Sequence, residues 1–330
     1  VLSEEHFAPT VRFSVLLARN YSYERQDSRR RKVGILTGKI EEFVSRHLKW
    51  IFPLPAVIVL MLIAIFPFGY NMYMSLHEWF ASSIVSPKFC GLANYLRLII
   101  KDSRFHNALF NTFYVYAMAL FIELVLGLLI ALVLNKEFRG KGIYRTLILL
   151  PIVTTPVAVA LVWMIMFNPS FGVLNFFLQS LGLPPSSWVS NRRIVIPCLV
   201  LVDVWQWTPL VAIITLGGLQ MLPREPYEAA QIDGASSLKT LRYITLPLLR
   251  PVIMVAIIIR SIDLLRFFDT VFVITQGGPG FSSETLNVYV FKVGFEYFHM
   301  GRASALLIMY FFIILTISLL FMKLRKSAWA

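Results

Sequence analysis

The chain has 330 residues, a net charge of +13, 57% hydrophobic residues and only 15% charged ones. A water-soluble domain of this length carries about a quarter charged residues, so the mean hydropathy of +0.70 excludes a soluble fold and points to a polytopic membrane protein. The positive charge does not argue for nucleic acid, because membrane proteins gather Lys and Arg in their cytoplasmic loops.

Residues 1–49 are polar and basic, with the run Arg29-Arg30-Arg31-Lys32. They lack the apolar core of a cleavable signal peptide, so the first span is expected to act as its own uncleaved address. Within 38–50, Ile40, Phe43, Val44, His47 and Leu48 recur at helical spacing, which predicts a helix lying along the membrane surface. A spanning helix needs roughly 20 mostly apolar residues. Six segments meet that measure, at about 50–74, 108–134, 144–167, 194–219, 250–274 and 303–323. The fifth is the least apolar, holding Arg260, Asp263, Arg266 and Asp269.

Alternate connections set the orientation. With both termini inside, the inner segments hold 21 Lys and Arg against 8 in the outer ones, which favours a cytoplasmic N-terminus. The connection 220–250 then faces the cytoplasm. It reads as two short helices separated by Gly234 and ended by Pro247. Pro226 suits a first helical turn, Glu228 complements the positive helix end, and Ala229 and Ala230 let a partner approach the backbone. Gly234 permits the turn, Ser236 or Ser237 can cap the second helix, and Leu238 and Leu241 are expected on an inner face.

The order Glu228-Ala-Ala, Asp233-Gly234-Ala235 and then Leu246-Pro247 resembles the coupling loop of ATP-binding-cassette importer permeases. Phe89-Cys-Gly-Leu-Ala-Asn-Tyr95, Asp102, Phe105, Ala108-Leu-Phe-Asn-Thr112 and Phe171-Gly-Val-Leu-Asn175 are similar to the outer loops of the maltose-type, carbohydrate-importing members. Trp205 with Pro209 resembles their fourth span. The segment from Phe268 through Gln276-Gly-Gly-Pro279, followed by Gly301-Arg-Ala-Ser-Ala305, resembles the first of their two kinds of membrane subunit.

This resemblance implies an all-α polytopic fold of six transmembrane helices, the type I importer permease fold, over residues 50–330. It implies a sister permease subunit, two ATPase subunits carrying ATP and Mg, an extracytoplasmic substrate-binding protein and a bacterial or archaeal cytoplasmic membrane. No cofactor is expected on this chain, nor any catalytic residue. Glu228, Ala229, Ala230, Asp233, Gly234, Ala235 and Pro247 would form the ATPase-coupling surface.

Carbohydrates are bound by aromatic faces and planar polar groups, which makes Trp205, Gln206, Trp207 and Phe267 candidate path-lining residues. Asp203, Arg260, Asp263 and Arg266 join them as ionisable groups inside spans, where charge is costly and faces a cavity or a partner. The alternative is that Arg260, Asp263 and Arg266, three apart on one helix face, form a structural charge ladder. Glu123 stands alone in the second span and is expected to turn into the bundle. An ion-coupled secondary transporter, with protons carried by Asp203 and Asp263, competes as a function but leaves the loop 220–250 unexplained. An integral-membrane enzyme would need a His, Ser or metal constellation within the spans, whereas His6, His47, His77, His106 and His299 fall in loops, tail or interfaces. Cys90 and Cys198 are too far apart in sequence to suggest a disulfide framework.

Overall fold

The computed structural model describes residues 50, 52–82 and 84–328. The basic segment 1–49 and the surface helix expected over 38–50 lie outside the described residues, apart from Trp50. The chain divides into two units, residues 1–69 and 70–330. The described part of the first is helical: α1 (Leu54–Leu60), a π-turn (Met61–Ile65) and the beginning of α2 (Phe66–Ser75). No charged residue interrupts Leu54–Ser75. Pro67 does not break this run. A proline ring clashes with the carbonyl four residues back, and that carbonyl, of Ile63, lies in the widened π-turn closed by Phe66 N–H donating to Met61 O.

In the second unit a two-residue antiparallel ribbon, β1 (His77–Glu78) with β2 (Lys88–Phe89), pairs His77 with Phe89. The next helices are α3 (Ala93–Lys101), α4 (Ser103–Asn135), α5 (Lys141–Val153), α6 (Pro156–Met166), α7 (Val173–Ser180) and α8 (Val195–Gln220). Then come α9 (Glu225–Ile232), α10 (Ser237–Thr240), a π-turn (Leu241–Thr245), α11 (Leu246–Leu265), α12 (Asp269–Thr275), α13 (Leu286–Phe291) and α14 (Met300–Ala328). The core centres on α8, which packs against α4, α5, α6, α11 and α12. Its close approach to α4 depends on Gly127, where a Cβ would fall 2.6 Å from Val211 Cγ1. α4 starts where Asp102 Oδ1 accepts the Phe105 N–H at 3.0 Å, a side-chain cap.

Among the described residues, four helices are long and apolar enough to cross a membrane: Leu54–Ser75, Ser103–Asn135, Val195–Gln220 and Met300–Leu324. The expected span 144–167 is instead a bent pair, α5 and α6 meeting at 94°. Thr154 and Thr155 between them are extended, with ψ of 139° and 141°, as the residue before a proline such as Pro156 prefers. The expected span 250–274 is also divided, because α11 stops at Leu265 and the chain restarts as α12 at Asp269. Arg250, Arg260 and Asp263 put three charges in α11, where each of the four spanning helices holds at most two. The six spans read from the sequence are thus matched, among the described residues, by four helices, or by five spans if the bent pair counts as one.

Candidate functional site

Between α8 and α11 the chain leaves the bundle as a helical knob. α9 begins with Pro226 in its first turn and with Glu225 and Glu228 there too, at the positive helix end. It ends in a Schellman motif: Ala235 N–H donates to Ala230 O at 2.9 Å and Gly234 N–H to Gln231 O at 3.2 Å. Gly234 has φ +68°, and a Cβ there would meet nothing within 4 Å. The requirement for glycine is thus conformational, not spatial.

Ser236 takes the N-cap position of α10 without a side-chain cap bond. Pro247, expected to end the second helix, does not. Leu246 N–H donates to Leu241 O across the π-turn, and the helix continues into α11 by the device used at Pro67. Tyr227 Oη donates to Thr245 Oγ1 at 3.1 Å, which fastens α9 to that π-turn.

On the knob, Ala230 is buried while Glu228, Ala229, Asp233 and Gly234 are exposed. Leu238, expected on an inner face, is instead 73% exposed, and Ile232 is 87% exposed. Met221 and Tyr243 are exposed as well. The knob thus exposes three acids, Glu225, Glu228 and Asp233, an alanine, a glycine turn and four large apolar side chains.

The polar residues within the bundle converge on Arg260. Its guanidinium donates to Glu123 from Nε (2.7 Å) and Nη2 (2.8 Å), and from Nη2 to Asp203 Oδ2 at 2.8 Å. All three side chains are at most 3% exposed. Asp263 Oδ2 lies 3.6 Å from Arg260 Nη1, and the Trp207 ring centroid is 5.1 Å from the guanidinium carbon. Glu123 comes from α4, Asp203 and Trp207 from α8, and Arg260 and Asp263 from α11, so one cation ties three helices together. Buried charges persist only when paired and hydrogen-bonded in this way.

The other candidate path residues scatter. Gln206 is buried and turns away, its Nε2 donating to Thr154 O at 3.0 Å. That carbonyl belongs to the break between α5 and α6, so Gln206 satisfies a backbone group that the bend leaves without a helical partner. Trp205 is half exposed beside Trp163, at 5.9 Å between centroids. Arg266 caps the end of α11 and is exposed, and Phe267 packs against the main apolar core.

The loops around α3, α7 and α13 are fastened by side-chain amides and one forked ion pair. Asn94 Nδ2 donates to Ser75 O and His77 O, both at 3.0 Å. Asn111 Nδ2 reaches Phe281 O and Glu284 O, both at 3.1 Å. Asn175 donates to Pro169 O and Ser186 O and accepts from Trp188 Nε1. Arg104 forks onto the fully buried Glu284 at 2.6 and 2.7 Å, with its guanidinium over Phe281. No sequence signal pairs Arg104 with Glu284, since 180 positions separate them.

Residues 123–326 match the family described as binding-protein-dependent transport system inner membrane component, and the chain belongs to that family. A probable ABC transporter permease protein of Sinorhizobium fredii is 40% identical over 271 residues, 81% of this chain and 86% of the relative. The trehalose/maltose transport system permease protein MalF of Thermococcus litoralis is 35% identical, covering 88% of this chain and 97% of its own. The trehalose transport system permease protein SugA of Mycobacterium tuberculosis is 31% identical, over 86% and 90%. Among solved structures, a chain of a bacterial ABC transporter involved in import of the acidic polysaccharide alginate shares the fold. Its TM-score is 0.75 at 21% identity, over 88% of this chain and 99% of that one.

Proposed function

We propose that this chain forms half of the alternating-access path of an ATP-driven importer for a carbohydrate, delivered by an extracytoplasmic binding protein. The sister half is a second permease subunit, and two ATPase subunits supply ATP and Mg. Both termini face the cytoplasm of a bacterial or archaeal cell, and α11 with α12 completes the set of spans. The trehalose and maltose relatives support the sugar assignment.

The observation that carries the reading is the knob at 220–250. Its exposed Glu228, Ala229, Asp233, Gly234, Ile232 and Leu238 form a surface that the bundle does not need for its own packing. The Tyr227–Thr245 bond and the helix that runs on from α10 make it a rigid lever on α11. Closure of the ATPase pair moves the two permease knobs together, and α11 carries that movement to the Arg260 cluster. Trp207 and the exposed Asp263 line the path where it passes this cluster, braced from within the bundle by the buried Asp203 and Arg260. A proton-carrying secondary transporter is less well served, because the Asp203 carboxylate is already held by Arg260.

Transport assays decide it. Uptake of a radiolabelled disaccharide into proteoliposomes should require ATP inside and the binding protein outside. Uptake driven by a proton gradient without ATP would refute the reading.

A further inference from the structure

The turn between α4 and α5 holds a surface that coupling and substrate passage leave unused. Two grooves meet there. One, of about 450 Å3, is lined by Leu129, Val133, Tyr144, Ile148 and Arg139. The other, of about 280 Å3, lies between α5 and the end of α8 and is lined by Leu149, Leu216, Gln220 and Arg145. Leu134 and Ile148 belong to both, so the grooves flank the same ridge. Phe138 and Tyr144, with ring centroids 5.7 Å apart, wall the first.

Each groove has one arginine in its lining, Arg139 in the first and Arg145 in the second. Residues 135–146 contain Lys136, Arg139, Lys141 and Arg145 against one acid, Glu137. That acid is taken, bonded to Lys141 Nζ at 2.8 Å. Among the described residues Lys136, Arg139 and Arg145 have no ion-pair partner, and the buried Nε of Arg145 has no hydrogen-bond partner. The first turn of α5 has no acidic residue and no side-chain cap, which adds to the positive field. Apolar grooves running along two spanning helices, closed at their polar end by unpaired guanidinium groups, match one ligand chemistry. That ligand has long hydrocarbon chains and a phosphate.

We propose that the α4–α5 turn binds one anionic phospholipid, its phosphate held between Arg139 and Arg145 and its acyl chains laid along the ridge of Leu134 and Ile148. The inference does not depend on which solute is carried or on which way the chain is oriented.

The test is native mass spectrometry of the full chain in detergent, titrated with dioleoyl phosphatidylglycerol or with dioleoyl phosphatidylcholine. Phosphatidylglycerol should be retained at one equivalent and phosphatidylcholine should not. The double variant Arg139→Gln/Arg145→Gln should weaken retention about 25-fold, since each cation near an anionic surface contributes roughly fivefold. Arg193→Gln, on the connection between α7 and α8, should leave retention unchanged. As a check on folding, the double variant without lipid should melt within a degree or so of the natural chain, while phosphatidylglycerol raises the melting temperature of the natural chain alone. Equal retention of both lipids, or undiminished retention by the double variant, would overturn the proposal. So would displacement of the lipid when the ATPase subunits are added, which would assign the grooves to a protein partner.

Discussion

Arg260 and Glu123, 137 positions apart in sequence, form a forked ion pair at 2.7 and 2.8 Å with both side chains fully buried. Each offsets the other's desolvation, and Asp203 closes the arrangement from α8. Removing one partner leaves a charge stranded, which costs about 3–5 kcal/mol where a buried pair is broken. Arg260→Leu and Glu123→Ala should therefore each lower the melting temperature of the detergent-purified chain by several degrees. Glu123→Leu/Asp203→Leu/Arg260→Met should be milder than Arg260→Leu, because no member of the buried triad is then left charged without its partner. A melting curve for Arg260→Leu that matches the natural chain would show the pair to be dispensable.

Gly234 adopts φ +68° to close the Schellman motif of α9. Gly234→Ala meets no steric neighbour and should cost about 1 kcal/mol from the left-handed backbone alone. Gly234→Pro removes the N–H that donates to Gln231 O and cannot reach that φ. It should abolish ATP-dependent uptake in vesicles while the chain remains in the membrane at normal levels. Retained uptake in the proline variant would mean that the shape of the turn is irrelevant to transport.

Gln206 supports the bend between α5 and α6 through the Thr154 carbonyl. Gln206→Leu leaves a carbonyl without its partner, at a cost of about 1–3 kcal/mol. Thermal unfolding should report that loss, with Gln206→Met no better because a thioether of similar size cannot donate. A Gln206→Leu chain as stable as the natural one would place a water or a lipid group at that carbonyl instead.

Trp207 lies over Arg260 at 5.1 Å, in the cluster that also holds Asp203 and Asp263. Trp207→Ala should raise the KM for uptake severalfold while co-purification with the ATPase subunits is unchanged. Unaltered transport kinetics would return this indole to a packing role.

The membrane class and the knob were legible because each rests on local pattern. Apolar runs mark helices that can span, and Glu228, Gly234 and Ala235 signal a helix and its end within a few residues. The run-on at Pro247 was not legible, because its cause is a π-turn five residues wide, which no propensity scale marks. The bend at Thr154 had a signal in Pro151 and Pro156, but its carbonyl is satisfied by Gln206, 52 positions away. The charge cluster was half legible. Arg260 and Asp263 share a helix face by spacing, whereas Glu123 and Asp203 reach Arg260 only through tertiary packing. Asn94, Asn111 and Asn175 were legible as positions in motifs, and their loop-fastening bonds only as geometry.

In the proposed transporter the knob at 220–250 transmits force from an ATPase. The most direct measurement is ATP-driven uptake by proteoliposomes of the assembled transporter carrying Glu228→Lys, an exposed position in the first turn of α9. Uptake should fall to background while the variant chain still inserts and melts as the natural chain does. Uptake at the natural rate, with ATP hydrolysis still coupled to it, would contradict the account.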